Sequence, residues 1–124
     1  MLSLARTLGT GAAGSPSIFT AIPPPLMQVD AIGANQTVIN SVYPQLVPLI
    51  NDANTLSSAS IDVYGTMGGS PTWESKFPAS CTLDTAKTYP YCRFWCDAQS
   101  CDQCHPNDNG YTLLAATIMA GIGL

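Results

Sequence analysis

Asp102-Gln103-Cys104-His105-Pro106-Asn107-Asp108-Asn109-Gly110-Tyr111 contains the only histidine of the chain. An aspartate precedes that histidine by three residues, and a helix start follows it. A neutral imidazole with a carboxylate behind it can take a proton from a serine hydroxyl. The carboxylate selects the tautomer and stabilises the imidazolium that forms. A turn of this size can place Asp102 and His105 on one rim of a sheet, and open α/β sheets assemble their sites outside the carboxyl ends of the strands. The plain alternative is a surface histidine that decorates a helix start.

Moving downstream, Tyr111, Leu114, Ala115, Ile118, Met119 and Ile122 recur at helical spacing, with Asn107 or Asp108 as the cap. That stripe reads as core packing rather than a membrane or partner face. Moving upstream, residues 71–104 show no periodicity. They hold prolines, Phe94, Trp95 and all five cysteines, at 81, 92, 96, 101 and 104. This predicts a long irregular excursion stapled by disulfides, because structureless loops of that length in small domains are usually cross-linked or functional. An odd count leaves one thiol, or a third bond to a partner elsewhere, and the pairing stays open. Phe94 and Trp95 read as a shield over the cysteine loop, with the lining of an acyl or carbohydrate pocket as the alternative.

Earlier in the chain, residues 60–64 (Ser-Ile-Asp-Val-Tyr) read as a short buried strand. Residues 36–53 carry Val38, Ile39, Val42, Tyr43, Leu46, Val47 and Ile50 at helical spacing, and Pro44 predicts a kink or restart. Residues 17–22 read as a strand that stops at three prolines, which lack the N–H a ladder needs. Residues 2–8 are a weak amphipathic helix. Strands alternating with helices predict a parallel sheet with covering helices. Two strands alone do not make a stable α/β layer, so further strands are expected from outside this sequence. Asp62, at a strand end, is a generic acid candidate, but Asp102 has the better spacing.

The 124 residues amount to a single domain at most, read here as one partial domain over residues 1–124. With 46% hydrophobic and only 10% charged residues, the chain reads as folded rather than disordered. A net charge of −4 with four basic residues excludes a nucleic-acid footprint or a polybasic membrane patch. No apolar run approaches the ~20 residues of a membrane span. Arg6 cuts the apolar N-terminus too early for a signal peptide. The clustered cysteines favour an oxidising compartment and a secreted protein, and the sequon Asn35-Gln36-Thr37 is compatible with that.

The block Asp102-x-x-His105-Pro106-Asn107-x-x-Gly110-Tyr111 resembles the last sequence block of the SGNH (GDSL-type) ester hydrolases. The stretch from Ile18 through Met27 and the run from Asn35 to Asn40 are similar to a strand, loop and helix of secreted members, so the likeness spans roughly residues 17–121. The resemblance implies the C-terminal portion of a flavodoxin-like three-layer α/β/α parallel-sheet fold, with residues 71–104 as a Cys-rich insertion. It implies a serine esterase acting on carboxylic esters, including carbohydrate O-acetyl groups. His105 would be the general base and Asp102 its orienting partner. Pro106, Asn107 and Gly110 would shape the turn. No metal or organic cofactor is implied.

The family's nucleophile lies in a Gly-Asp-Ser motif, and none occurs here. Its oxyanion hole uses a Gly-x-Asn-Asp block, and Gly33-Ala34-Asn35-Gln36 is only a superficial near-miss on the wrong side of the first strand. The chain alone is therefore expected to be inactive, poorly soluble through an unpaired sheet edge, and a natural partner of a missing N-terminal half. Three alternatives are set against this reading. Cys101-x-x-Cys104-His105 is a literal c-type haem motif, with Met27, Met67 or Met119 opposite. Cys92, Cys96, Cys101, Cys104 and His105 have spacings that zinc sites use. The third is a small disulfide- or metal-stapled binding module without catalysis.

Overall fold

The computed structural model describes residues 17–25, 36–51, 60–70, 81–97, 101 and 105–124. The expected helix at 2–8, the near-miss at 33–36 in its first three residues, the sequon's Asn35, and Asp102 and Cys104 lie outside the described residues.

Two short strands, β1 (Ala21–Ile22) and β2 (Ile61–Asp62), pair in parallel, with Ala21 opposite Ile61 and Ile22 opposite Asp62. The Ile61 N–H donates to Thr20 O at 2.8 Å and carries the ladder one residue further back. β1 stops at the prolines of residues 23–25, which bring no N–H to a ladder. Parallel strands cannot be joined by a tight hairpin, and the chain between them contains the helix α1 (Gln36–Asn51).

α1 runs without interruption through Pro44 and Pro48, so of the expected kink or restart at Pro44 the restart does not occur. Pro44 has no N–H for the Asn40 carbonyl four residues back. The Tyr64 hydroxyl lies 3.5 Å from that carbonyl and donates at shorter range to Asn40 Oδ1. Asn40 is 1% exposed, so a tertiary partner stands beside the acceptor the proline vacates. Tyr43 meets the Tyr64 ring edge-on at 5.7 Å. The expected apolar face of α1 is only partly buried. Ile39, Tyr43, Leu46, Val47 and Ile50 are half-buried, while Val38 and Val42 are exposed together with Leu49. Those three fall on one stripe at the i, i+4 and i+11 spacing.

The second expected strand is shorter than its β-branched composition predicts. It ends at Asp62, and residues 63 and 64 turn into a one-turn helix, α2 (Val63–Thr66). Asp62 causes the switch. Its Oδ1 accepts the Gly65 N–H at 2.8 Å, and its carbonyl accepts the Thr66 hydroxyl at 2.7 Å. Capping satisfies the free N–H groups of a first turn and here overrides strand propensity.

The core gathers Ile61, Val63, Met67, Cys81, Cys92 and Trp95, with Leu113, Leu114, Ile118 and Ile122 of α3 (Asp108–Ile122) packed against it. The Cys81–Cys92 disulfide lies inside this cluster. Two 3₁₀ turns follow Cys81, Thr85–Lys87 and Pro90–Phe94, and the second contains Cys92. A Cβ at Gly121 would run into the Ile61 side chain, so α3 crosses β2 at a glycine. Side chains alternate across a strand pair, so the buried Ile22 points away from the Ile61 face. The half-buried stripe of α3 is Leu113, Leu114, Thr117, Ile118, Gly121 and Ile122. It is rotated from the expected one, because Tyr111, Ala115 and Met119 are exposed. α3 closes at Gly123, whose φ of 82° is left-handed, with Leu124 N–H on Met119 O at 2.9 Å and Gly123 N–H on Ala120 O at 3.2 Å.

Candidate functional site: the turn before the last helix

Residues 93–97 and 105–107 meet as a single antiparallel rung, Trp95 opposite Pro106. The Cys96 N–H donates to His105 O at 3.0 Å, and the Asn107 N–H donates to Phe94 O at 3.1 Å. Asn107 then closes the turn with its side chain. Its Oδ1 accepts the Gly110 N–H at 3.0 Å as the cap of α3, and its Nδ2 donates to Arg93 O at 3.0 Å and Trp95 O at 2.7 Å. A short amide is thus committed at both ends, and neither end is left for chemistry. Asn107, not Asp108, is the cap. Asp108 sits in the first turn, where a carboxylate favours the positive end of the helix.

Gly110 is buried, and a Cβ there would collide with the Phe94 carbonyl. The glycine lets the first turn of α3 lie directly on the backbone of the Pro90–Phe94 turn. Trp95, only 3% exposed, fills the space beneath. Its indole belongs to the core, as the shielding reading expects. Phe94 is half-buried, and the Arg93 guanidinium stacks 4.6 Å from the centre of its ring.

His105 is exposed, on the bend that leads into Pro106, and its carbonyl is held by Cys96. The backbone that carries the imidazole is therefore clamped at an exposed position. Beside this turn an open groove of about 560 Å³ runs along the start of α3. Asp97, Cys101, Pro106, Asp108 and Asn109 contribute to its walls. Among the described residues its charged side chains are Asp97 and Asp108, both carboxylates, so these favour a neutral or cationic guest over an anion. Asp97 was not anticipated from the sequence. Its Oδ2 accepts the Leu83 N–H at 3.0 Å and ties the chain just before the first 3₁₀ turn to the groove. Only a pairing across the cysteine loop brings it there, and no local pattern signals such a pairing.

The cysteines pair 81 with 92 and 96 with 101. This removes Cys92, Cys96 and Cys101 as thiolate ligands for zinc and Cys101 as a thioether partner for haem, since a disulfide sulfur can serve neither role. Among the described residues no group of three or more His, Cys, Asp or Glu side chains is placed to hold a metal ion. The two disulfides are compatible with an extracellular or secretory setting. Among the described residues no helix is long and apolar enough to cross a membrane.

Away from the groove, burial pushes the Tyr64 hydroxyl up to about 12. The Asp62 carboxylate adds to the rise, and a hydrogen bond with the Ser70 backbone opposes it. Comparison with known proteins finds no matching family model, no similar curated protein and no similar solved structure.

Proposed function

We propose that this chain is the C-terminal part of an SGNH-type serine esterase that cleaves carboxylic esters, including O-acetyl groups on carbohydrates. In that reading His105 is the general base and Asp102 orients it. The acyl group passes to a serine supplied by upstream sequence and then to water, without metal or organic cofactor. The observation that carries the reading is the block from Asp102 to Tyr111. Two further features support it: a parallel strand pair with a helix between its strands, and a turn before α3 in which the Cys96 N–H holds the carbonyl of the exposed His105. Without a Gly-Asp-Ser block, the chain by itself is inactive. The remaining half of the domain is its partner, and the ester its substrate.

A second reading is a disulfide-stapled binding module without catalysis. The observation in its favour is the pair of disulfides, which cross-link the segment that packs on α3. One experiment separates the two. The native product is isolated from its source, its intact mass is measured, and it is treated with a fluorophosphonate probe for activated serines. The esterase reading expects a mass above that of this chain and labelling that His105→Ala abolishes. A mass equal to this chain less the hydrogens of two disulfides, without labelling, overturns it in favour of the module.

A further inference from the structure

The two disulfides sit in opposite environments. Cys81 and Cys92 are 6% and 4% exposed, inside the core with Val63, Met67 and Trp95. Cys96 is half-buried and Cys101 is exposed, on the wall of the groove beside His105. Thiol–disulfide exchange needs in-line access of a thiolate to one sulfur, so exposed bonds are the labile ones. The outer bond also spans fewer residues, 5 against 11, and so restrains the unfolded chain less.

The outer bond is coupled to the turn that carries the histidine. The Cys96 N–H holds His105 O at 3.0 Å, and Cys96 Sγ lies 3.7 Å from Pro106 O. The Cys101 N–H donates to Asp97 O at 2.9 Å, closing the same loop through the backbone. From the far side, Asn107 and Gly110 anchor residues 106–110 without any help from the bond.

We propose that Cys96–Cys101 is a reducible clasp on the His105 turn, opened by a dithiol while Cys81–Cys92 keeps the core closed. A thiolate of the dithiol attacks Cys101 Sγ, forming a mixed disulfide and releasing Cys96 as a thiolate. The second thiol of the reagent then attacks its own sulfur of the mixed disulfide and frees Cys101. Two electrons pass from the dithiol, which becomes a disulfide, and its two protons end on Cys96 and Cys101. The freed Cys96 thiol gains a proton that it can donate to Pro106 O, while Cys101 is no longer tied to the rung. The His105 side chain thereby leaves its oxidised setting without loss of the fold. The clasp does not depend on the esterase reading.

The test uses the full chain under native conditions, with dithiothreitol at graded times, alkylation and peptide mass mapping. Cys96 and Cys101 are expected to label at least roughly tenfold sooner than Cys81 and Cys92, as accessibility controls exchange. In the same samples the His105 imidazole signals in an NMR spectrum should shift, while the near-ultraviolet circular dichroism of Trp95 is retained. Joint Cys96→Ser and Cys101→Ser substitution should reproduce the shifted His105 signals without reductant. Labelling of all four cysteines together, or early labelling with unmoved His105 signals, overturns the proposal.

Discussion

The half of the molecule around the cysteines and the half around α1 are built from similar proportions of apolar residues and end up differently. In the first, Trp95, Met67, Val63 and a disulfide are buried among one another, and backbone groups of residues 93–97 are taken by Asn107 and the rung. In the second, the strands are two residues long, and Val38, Val42 and Leu49 form an exposed stripe. The difference teaches that regular secondary structure is not what makes this chain dense. Covalent staples and side-chain caps hold residues 81–97 against α3, although that segment contains only 3₁₀ turns, whereas α1 keeps apolar groups in solvent.

The contrast can be broken or sharpened by experiment. Trp95→Ala should cost about 4 kcal/mol in chemical denaturation, because a large core aromatic leaves a cavity that neighbours cannot fill. Joint Cys81→Ser and Cys92→Ser substitution should cost about 3 kcal/mol by the same measurement, through the freed unfolded chain. A loss as large from an apolar truncation on the half-buried face of α1, such as Leu46→Ala, would erase the contrast between the halves. Gly110→Ala should cost about 2 kcal/mol, since the Phe94 carbonyl is backbone and must shift to admit a methyl group.

The α1 half also carries a pH signature. Tyr64 binds its proton more tightly folded than unfolded, with a value near 12 against an ordinary 10.0. Between those values the folded state holds more protons, so stability is complete below about pH 10 and declines as pH rises toward 12. Denaturation midpoints measured across that window should fall, and Tyr64→Phe should remove this component of the fall. The smallest effect is expected at Val42→Asp, within about 0.5 kcal/mol if the stripe faces water as an ordinary surface does. A loss several times larger would mean that the stripe is covered in the native protein.

Much of the candidate site was legible because its signals are local. A cap at Asn107 or Asp108 and disulfides among the clustered cysteines follow from neighbouring residues, and the structure has Asn107 as the cap and two disulfides. Other expectations failed where a distant group intervened. The helix does not restart at Pro44, and Tyr64, 24 residues from Asn40, stands beside the carbonyl that the proline frees. The second strand stops early because the Asp62 carboxylate finds the Gly65 N–H before a ladder can extend. The α3 stripe turns because Gly121 is drawn onto Ile61, and that rotates Tyr111 and Met119 outward.

By itself the sequence determined that the last helix starts at Asn107 or Asp108, that the first strand ends at its prolines, and the block that proposes His105 as a base. Each rests on chemistry within a few residues: a short amide, a missing N–H, an imidazole at a turn. Only the tertiary structure decided which cysteines pair, which side of each helix is buried, and that Asp97 and the start of α3 share a groove. Those outcomes depend on which backbones approach closely enough for a glycine, an amide or a sulfur to meet its partner. Spacing along a chain does not encode that distance.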